Sequence, residues 1–493
     1  MPRVLIDTIT GRLYDKQQQA EAFETLPIYS ELVPSVVTQP DYARIWEAVK
    51  EFYRYVMLSH RWEDGEPLLQ DVQNISVYDL KASPANTKLQ KFCGLVRALG
   101  FRWAWTDNSC VDKSNNVVLQ ESLVAMFTWY RGSSLTIVYL LGVSSKFQRP
   151  GDLWQSIWNT RAWTYQEYVA AEVILFYTED WVPYLGLNVP NHKQSSDIIA
   201  EMQRATGVSA QEMAMLRPGL DRVREKLYLA SRRETTLVED MAYSLFGIFN
   251  VAIPVIYGEG NRAVGRLLEH ILTGSGDVTI LAWTGCRSDY NSCLPMDLTV
   301  YSSFSPPHVP RPIEKIALER IVMGLRSSLT DLSLITALHN RLRDLPSPVL
   351  AASRLRLPGI VFPLTELVLA AEPDSATNQT KLYVYRATTS MLGDVEIKTA
   401  DDLTEKEGLC LVHPWIRPLL DQEYSDGAAQ LDKATQAFRF VARLRQPFGA
   451  LLFESLSRVE YRRVAADSLI TVRIRGEVPL TDLMDGIRTI EVQ

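Results

Sequence analysis

A chain of 493 residues is longer than one hydrophobic core ordinarily serves, so two or three domains are expected. With 46% hydrophobic and 22% charged residues it has an ordinary globular composition, and a net charge of -7 leaves no excess of cations to neutralise phosphates, which excludes a general nucleic-acid binder. Five cysteines, Cys93, Cys110, Cys286, Cys293 and Cys410, form no Cys-x-x-Cys pair, which points to a reducing, cytoplasmic setting, and residues 1–7 hold no apolar run of the kind a secretory signal needs.

In chain order, residues 1–50 form an N-terminal segment. An α/β domain is expected over 51–190. Residues 55–59 read as a buried strand, and residues 89–99 as an amphipathic helix introduced by Asn86-Thr87 and closed by Gly100. Residues 102–106 are the next strand. Leu119, Leu123, Met126, Phe127 and Tyr130 recur at three-four spacing, marking a helix that Gly132 ends. Residues 135–141 are uniformly apolar, as in a strand covered on both faces, and a helix starting near Arg161 leads to a strand at 173–177. This alternation predicts a mostly parallel, doubly wound sheet flanked by helices.

A helical extension follows over 191–300. Within it, residues 241–258 carry no charge and reach the length of a membrane span, but Asn250, Pro254 and two glycines interrupt them, so they read as a buried helix at 240–249, a turn and a short strand, with no membrane span. A connector at 301–349, Pro-rich at 305–312, leads to a mostly β C-terminal domain over 350–493, with strands expected at 381–386, 438–444, 450–453 and 469–474.

Glu167 is the sharpest candidate for chemistry. Placed in the first turn of its helix, it has Trp163 one turn earlier as a flat apolar wall and Arg161 as a local cation. A carboxylate against an aromatic wall at a sheet edge can stabilise a developing cation; the plainer alternative is a solvated residue interacting with the helix dipole. Ser59 and His60 are adjacent on an extended chain, so they point to opposite faces and cannot form a nucleophile–base dyad. His60 and Arg61 are instead expected to orient a ligand, with an ordinary surface role as the alternative. Asp107, after the second strand, accepts hydrogen bonds from a ribose, holds Arg61 in place, or satisfies its own loop. No His-x-His or His-x-x-x-His pair and no Gly-x-Ser-x-Gly turn exists, so neither a metal site nor an α/β hydrolase is expected. Gly258-Glu-Gly260 and Gly274-Ser-Gly276 read as turns and helix caps, and Cys93 and Cys110 as inert core thiols.

Four ordered blocks, Tyr55-Val-Met-Leu-Ser-His-Arg-Trp62, Ala104-Trp-Thr-Asp-Asn-Ser-Cys-Val-Asp-Lys113, Met126-Phe-Thr-Trp-Tyr-Arg131 and Arg161-Ala-Trp-Thr-Tyr-Gln-Glu167, resemble the heterokaryon incompatibility (HET) domain of fungi. Glu239-Asp-Met-Ala-Tyr-Ser-Leu-Phe-Gly-Ile-Phe249 and Ile256-Tyr-Gly-Glu-Gly-Asn-Arg262 are similar to the segment that usually follows it. The resemblance covers about residues 50 to 275 and leaves the C-terminal part unexplained. HET domains in turn resemble TIR domains, which are flavodoxin-like. Ser59 through Asp64 is similar to the first TIR strand and loop, Asp107 to the strand-end aspartate, and Trp163-Thr-Tyr-Gln-Glu167 to the block whose glutamate is catalytic in NAD-cleaving TIR enzymes, with Thr164 where cysteine is common. The resemblance implies an effector of incompatibility and programmed cell death. It implies cleavage of NAD, as substrate with no resident cofactor, at the nicotinamide–ribose bond. Glu167 would then hold the ribose, Trp163 wall the nicotinamide, and Arg61 with Asp64 shape the phosphate and sugar side. It equally implies an alternative, a non-catalytic signalling module that acts by self-association or with protein partners.

Overall fold

The structure, a computed structural model, describes residues 1–38, 41–302, 315–328, 332–371, 382–415, 433–475 and 478–493. The Pro-rich connector at 305–312 and residue 381 lie outside the described residues. Two compact units divide the chain: Met1–Gly219 with Arg232–Val255, and Leu220–Ser231 with Ile256–Gln493.

The first unit is built on a six-stranded sheet of β1 (Leu5–Asp7), β2 (Arg12–Tyr14), β3 (Tyr55–Ser59), β4 (Trp103–Trp105), β5 (Leu135–Leu140) and β6 (Ile174–Thr178), in the order β2-β1-β4-β3-β5-β6. Strands β4, β3, β5 and β6 run parallel, as the alternation of apolar runs and helices requires, and every residue of β3, β4 and β5 is buried. The antiparallel pair β1–β2 extends the β4 side, anchored by buried Asp7, whose carboxylate accepts from Arg102 Nη2 at 2.8 Å. Helices Pro84–Ala98, Asn116–Gly132 and Trp163–Ala170 carry the chain from β3 to β4, β4 to β5 and β5 to β6. Because the chain steps from β3 to one neighbour and then back across it to the other, right-handed crossovers put the first helix on one face and the other two on the opposite face. The carboxyl ends of β3 and β5 are therefore the switch point of the sheet, where ligands of doubly wound folds bind.

Some local expectations shift. The first crossover helix starts at Pro84, not 89, because Ser83 accepts from the Asn86 backbone N–H at 3.1 Å and proline suits the first helical position. The stretch 240–249 is two short helices, Asp240–Tyr243 and Phe246–Phe249, closed by Asn250 in the left-handed region at φ 53°, and no strand follows. Gly247 is required there: a Cβ would lie 2.1 Å from that of Phe127.

In the second unit, helix Arg262–Ser275 buries Val264, Leu267, Leu268 and Ile271 and ends at Gly276, which has the left-handed cap conformation expected of it. Among the described residues ten strands follow: β7 (Val349–Ala351), β8 (Arg354–Pro363), β9 (Glu366–Ala371), β10 (Tyr383–Thr388), β11 (Val395–Thr399), β12 (Cys410–Pro414), β13 (Phe448–Ser455), β14 (Glu460–Arg463), β15 (Ile470–Val472) and β16 (Ile487–Val492). Strand β8 pairs with both β16 and β12, so β8, β12, β13, β14 and β16 close into a barrel, which removes free edges. Strands β9, β10 and β11 form a separate antiparallel sheet. The β-rich C-terminal region thus appears as expected, with one correction: 438–444 belongs to helix Lys433–Leu444. Phe438 and Phe440 flanking Arg439 imitate a strand's alternation, but Ala437, Phe438, Val441 and Leu444 are all buried, a helical stripe that packs into the core beside Phe440 and Trp415. Among the described residues no helix is long and apolar enough to cross a membrane.

Candidate functional site

Strand β3 ends in Ser59, and the alternation of an extended chain sends Ser59 and His60 to opposite faces of the sheet. On the first face lies helix Trp163–Ala170. Glu167 is its fifth residue, past the first turn where the sequence placed it, and it is buried, with 8% exposure, so the solvated reading does not hold. The hydroxyl of Ser59, itself 0% exposed, donates to Glu167 Oε2. Trp158 Nε1 donates to Ser59 Oγ at 2.7 Å. The Tyr130 hydroxyl, which donates to the Leu58 carbonyl at 2.9 Å, also reaches the Glu167 carboxyl. Burial pushes the Glu167 carboxyl up to about 8; the Ser59 hydrogen bond opposes that shift, the nearby Asp107 charge adds to it, and Tyr130 and Arg161 pull it back. A carboxylate so placed changes its charge close to neutral pH.

On the other face His60 Nε2 lies 2.9 Å from Glu66 Oε2. Lys88, on the inward side of helix Pro84–Ala98, donates to Glu66 Oε1 at 2.6 Å, Glu63 Oε2 at 2.8 Å and the Arg61 carbonyl at 3.1 Å, which uses all three ammonium protons. Asn108 Nδ2 also donates to Glu66. Burial alone would raise the Glu66 carboxyl, but the charges and hydrogen bonds of His60 and Lys88 overwhelm it and hold the group well below the usual carboxylate range. Beside Lys88 a cleft of about 500 Å³ opens, with Tyr139 and Trp181 as its aromatic wall and Lys91 at its rim.

The structure therefore brings Ser59 to Glu167 and joins Trp62 to Asp107, while His60 is buried against Glu66 on the other face. Trp62 Nε1 donates to Asp107 Oδ2 at 2.7 Å, and Lys113 Nζ stands 3.4 Å from the Trp62 ring centre and 3.9 Å from Asp107 Oδ2. Asp107 thus holds Trp62 where Arg61 was expected. The side chains of Arg61 and Asp64 are exposed on the loop. Trp163, partly exposed, has no hydrogen bond or ring contact to Ser59 or Glu167 among the described residues; the indole joined to that pair is Trp158. The residues that sequence reasoning missed are Trp158, Tyr130, Glu66 and Lys88. One signal could have found Lys88: it falls on the same helical stripe as Ala85, Leu89, Phe92 and Val96, a cation on a buried face. Cys93 and Cys110 are buried, and burial pushes the Cys110 thiol up to about 12, which leaves it unreactive. Among the described residues no group of three or more His, Cys, Asp or Glu is placed to hold a metal ion.

Residues 55–152, from β3 through the start of the segment after β5, match the family model described as Heterokaryon incompatibility protein (HET). Over 248 residues the chain is 34% identical to the vegetative incompatibility protein HET-E-1 of Podospora anserina, covering 48% of this chain and 17% of that protein, so the chain spans less than a fifth of this relative's length. No solved structure matches the chain. The matched block, similar to the HET domain, is the one that supplies Ser59, His60, Trp62 and Asp107 to the sheet edge.

Proposed function

We propose that this chain acts in heterokaryon incompatibility as a TIR-like effector that cleaves NAD at the nicotinamide–ribose bond and so leads to programmed cell death. The observation that carries the reading is a buried carboxylate, Glu167, joined to Ser59 at the carboxyl end of the switch-point strand. The order β4-β3-β5-β6 places the second parallel strand beside the first and the third on its other side, which is the flavodoxin-like order a TIR-like fold needs. The likeness to the vegetative incompatibility protein of Podospora anserina supports the incompatibility role.

In this reaction the bond from ribose C1′ to the pyridinium nitrogen breaks and its electron pair leaves on nicotinamide. Nicotinamide departs neutral, so no general acid is needed. Water then adds to C1′ and releases one proton, giving ADP-ribose. The barrier is the cationic, oxocarbenium-like ribose, which an ionised carboxylate stabilises while it holds the ribose hydroxyls. Glu167 takes that role, Trp163 on the exposed side of its helix walls the nicotinamide, and Asp107 with Trp62 forms the rim of the ribose site. His60 braces the loop through Glu66. Arg61 and Asp64 meet the phosphates and outer sugar. The setting is cytoplasmic, where NAD is available and the five free cysteines stay reduced.

A second reading, assembly without catalysis, draws support from Trp62. Its indole is 49% exposed yet fixed by Asp107 and Lys113, the state of an anchor residue awaiting a second copy or another protein. Glu167→Ala and Glu167→Gln separate the two. On the enzymatic reading both abolish NAD consumption and toxicity together; toxicity that survives both substitutions makes assembly the function.

A further inference from the structure

We infer that Trp158 is a positioning residue for Glu167: its indole N–H fills an acceptor site on Ser59 Oγ and thereby turns the Ser59 proton onto the carboxylate. This rests on the NAD-cleaving reading for its functional meaning, though its structural half stands alone. An indole N–H can only donate, whereas a hydroxyl carries one donor and two acceptor sites. With Nε1 aimed at Ser59 Oγ from 2.7 Å, the direction of the chain from Trp158 through Ser59 to Glu167 is set. The opposite direction, in which a protonated Glu167 donates to Ser59, would make the serine oxygen accept twice and leave its own proton unpartnered. Ser59 is 0% exposed, so water does not relieve that loss. The arrangement therefore favours the ionised carboxylate, the form the chemistry uses.

Trp158 is held for this task. Its ring, 2% exposed, meets Phe176 edge-on with centres 5.6 Å apart, and its carbonyl accepts from Thr164 Oγ1 at 2.7 Å. Arg233 Nη1 donates to the same Thr164 Oγ1 at 3.0 Å and to the Arg161 carbonyl at 2.8 Å. The short helix Ile157–Thr160 is in this way tied to the first residues of the helix that carries Glu167. Thr164 thus has a structural partner set of its own.

The test is a titration of the Glu167 carboxyl carbon in the full chain labelled with 13C-glutamate, the resonance being assigned by its loss in Glu167→Gln. Trp158→Phe raises the midpoint by about half a pH unit or more, Ser59→Ala raises it as well, and Trp158→Phe adds nothing in the Ser59→Ala background, since its effect passes through Ser59. Trp158→benzothienylalanine, which keeps the bicyclic ring and lacks the N–H, gives the same shift and covers the case in which the phenylalanine variant does not fold. An unmoved midpoint in both, or a shift that persists undiminished without the Ser59 hydroxyl, overturns the inference. The pH profile of nicotinamide release moves upward in step with the midpoint, at an unchanged limiting kcat. Midpoints that shift as described while no variant and no wild-type protein releases nicotinamide refute the NAD reading and leave the Trp158 role standing.

Discussion

Ser59 and His60 are neighbours in the chain, and each meets a buried glutamate, on opposite faces of one sheet. Ser59 meets Glu167, whose surroundings are an indole, two hydroxyls and the acidic Asp107, and burial pushes that carboxyl up to about 8. His60 meets Glu66, which Lys88 and Asn108 also grip, and that carboxyl is held far below its ordinary range. Both carboxyls are withdrawn from solvent, Glu167 more completely: it is a buried residue, whereas Glu66 is buried at its side chain but only half-buried as a whole. The counter-charges differ. The comparison teaches that burial fixes how much a charge matters, while partners fix whether it is present. A carboxylate locked as an anion by an ammonium straps a loop; one held mainly by hydroxyls, with Arg161 a lesser influence, keeps a charge that its surroundings can switch.

The contrast breaks most visibly if the ammonium is removed. Lys88→Met leaves Glu66 and Glu63 without their cation, and removing one member of a buried pair costs about 3–5 kcal/mol, read as a lowered midpoint in chemical denaturation. An unchanged midpoint would make the Lys88 cluster a surface feature. Changing pH sharpens the contrast by a smaller amount. Glu167 is raised above its ordinary 4.5, so its favourable contribution is complete below 4.5 and is lost as pH rises through about 8, at up to about 1.4 kcal/mol per pH unit. Glu66 has the opposite sign: lowered in the fold, it contributes above its ordinary 4.5 and loses that contribution as pH falls through its lower folded value. Glu167→Gln therefore flattens the fall in stability between pH 4.5 and 8 and leaves the acid limb in place; a slope identical to wild type contradicts the assignment. The smallest effect is expected from Asp107→Asn. Losing the negative charge beside Glu167 lowers its midpoint by less than about one unit, while the amide oxygen of asparagine still accepts, more weakly, from the Trp62 indole N–H. A midpoint that rises instead would show that Asp107 acts through something other than its charge.

Much of the first unit is legible in the chain, because β3, β4 and β5 are short runs buried on both faces and the crossover helices carry apolar stripes. That Ser59 and Glu167 belong to ordered motif blocks is legible in the chain; that they meet is not. What escaped was contact across chain distance. Trp163, four residues before Glu167, is the aromatic neighbour that helical spacing offers, yet the indole that reaches the pair is Trp158, which sits on a separate turn folded back against the strand end. Lys88 and Glu66 each look like ordinary polar residues, one in a helix and one in a loop, and only their meeting makes both burials affordable. Strands β1 and β2 are three residues each, too short for a period to register. In the second unit the Phe-Arg-Phe of 438–440 favoured a strand until the wider stripe from Ala437 to Leu444 decided for a helix.

The central proposal is that Glu167, as an anion at the switch point, drives the loss of nicotinamide from NAD. The direct measurement is nicotinamide release by the purified full chain from about pH 6 to about pH 9, beside Glu167→Gln. The account predicts release that climbs as the carboxyl ionises near pH 8 and falls by at least about 100-fold in the glutamine variant. Equal release by the two proteins, or none from either across that range, would contradict it.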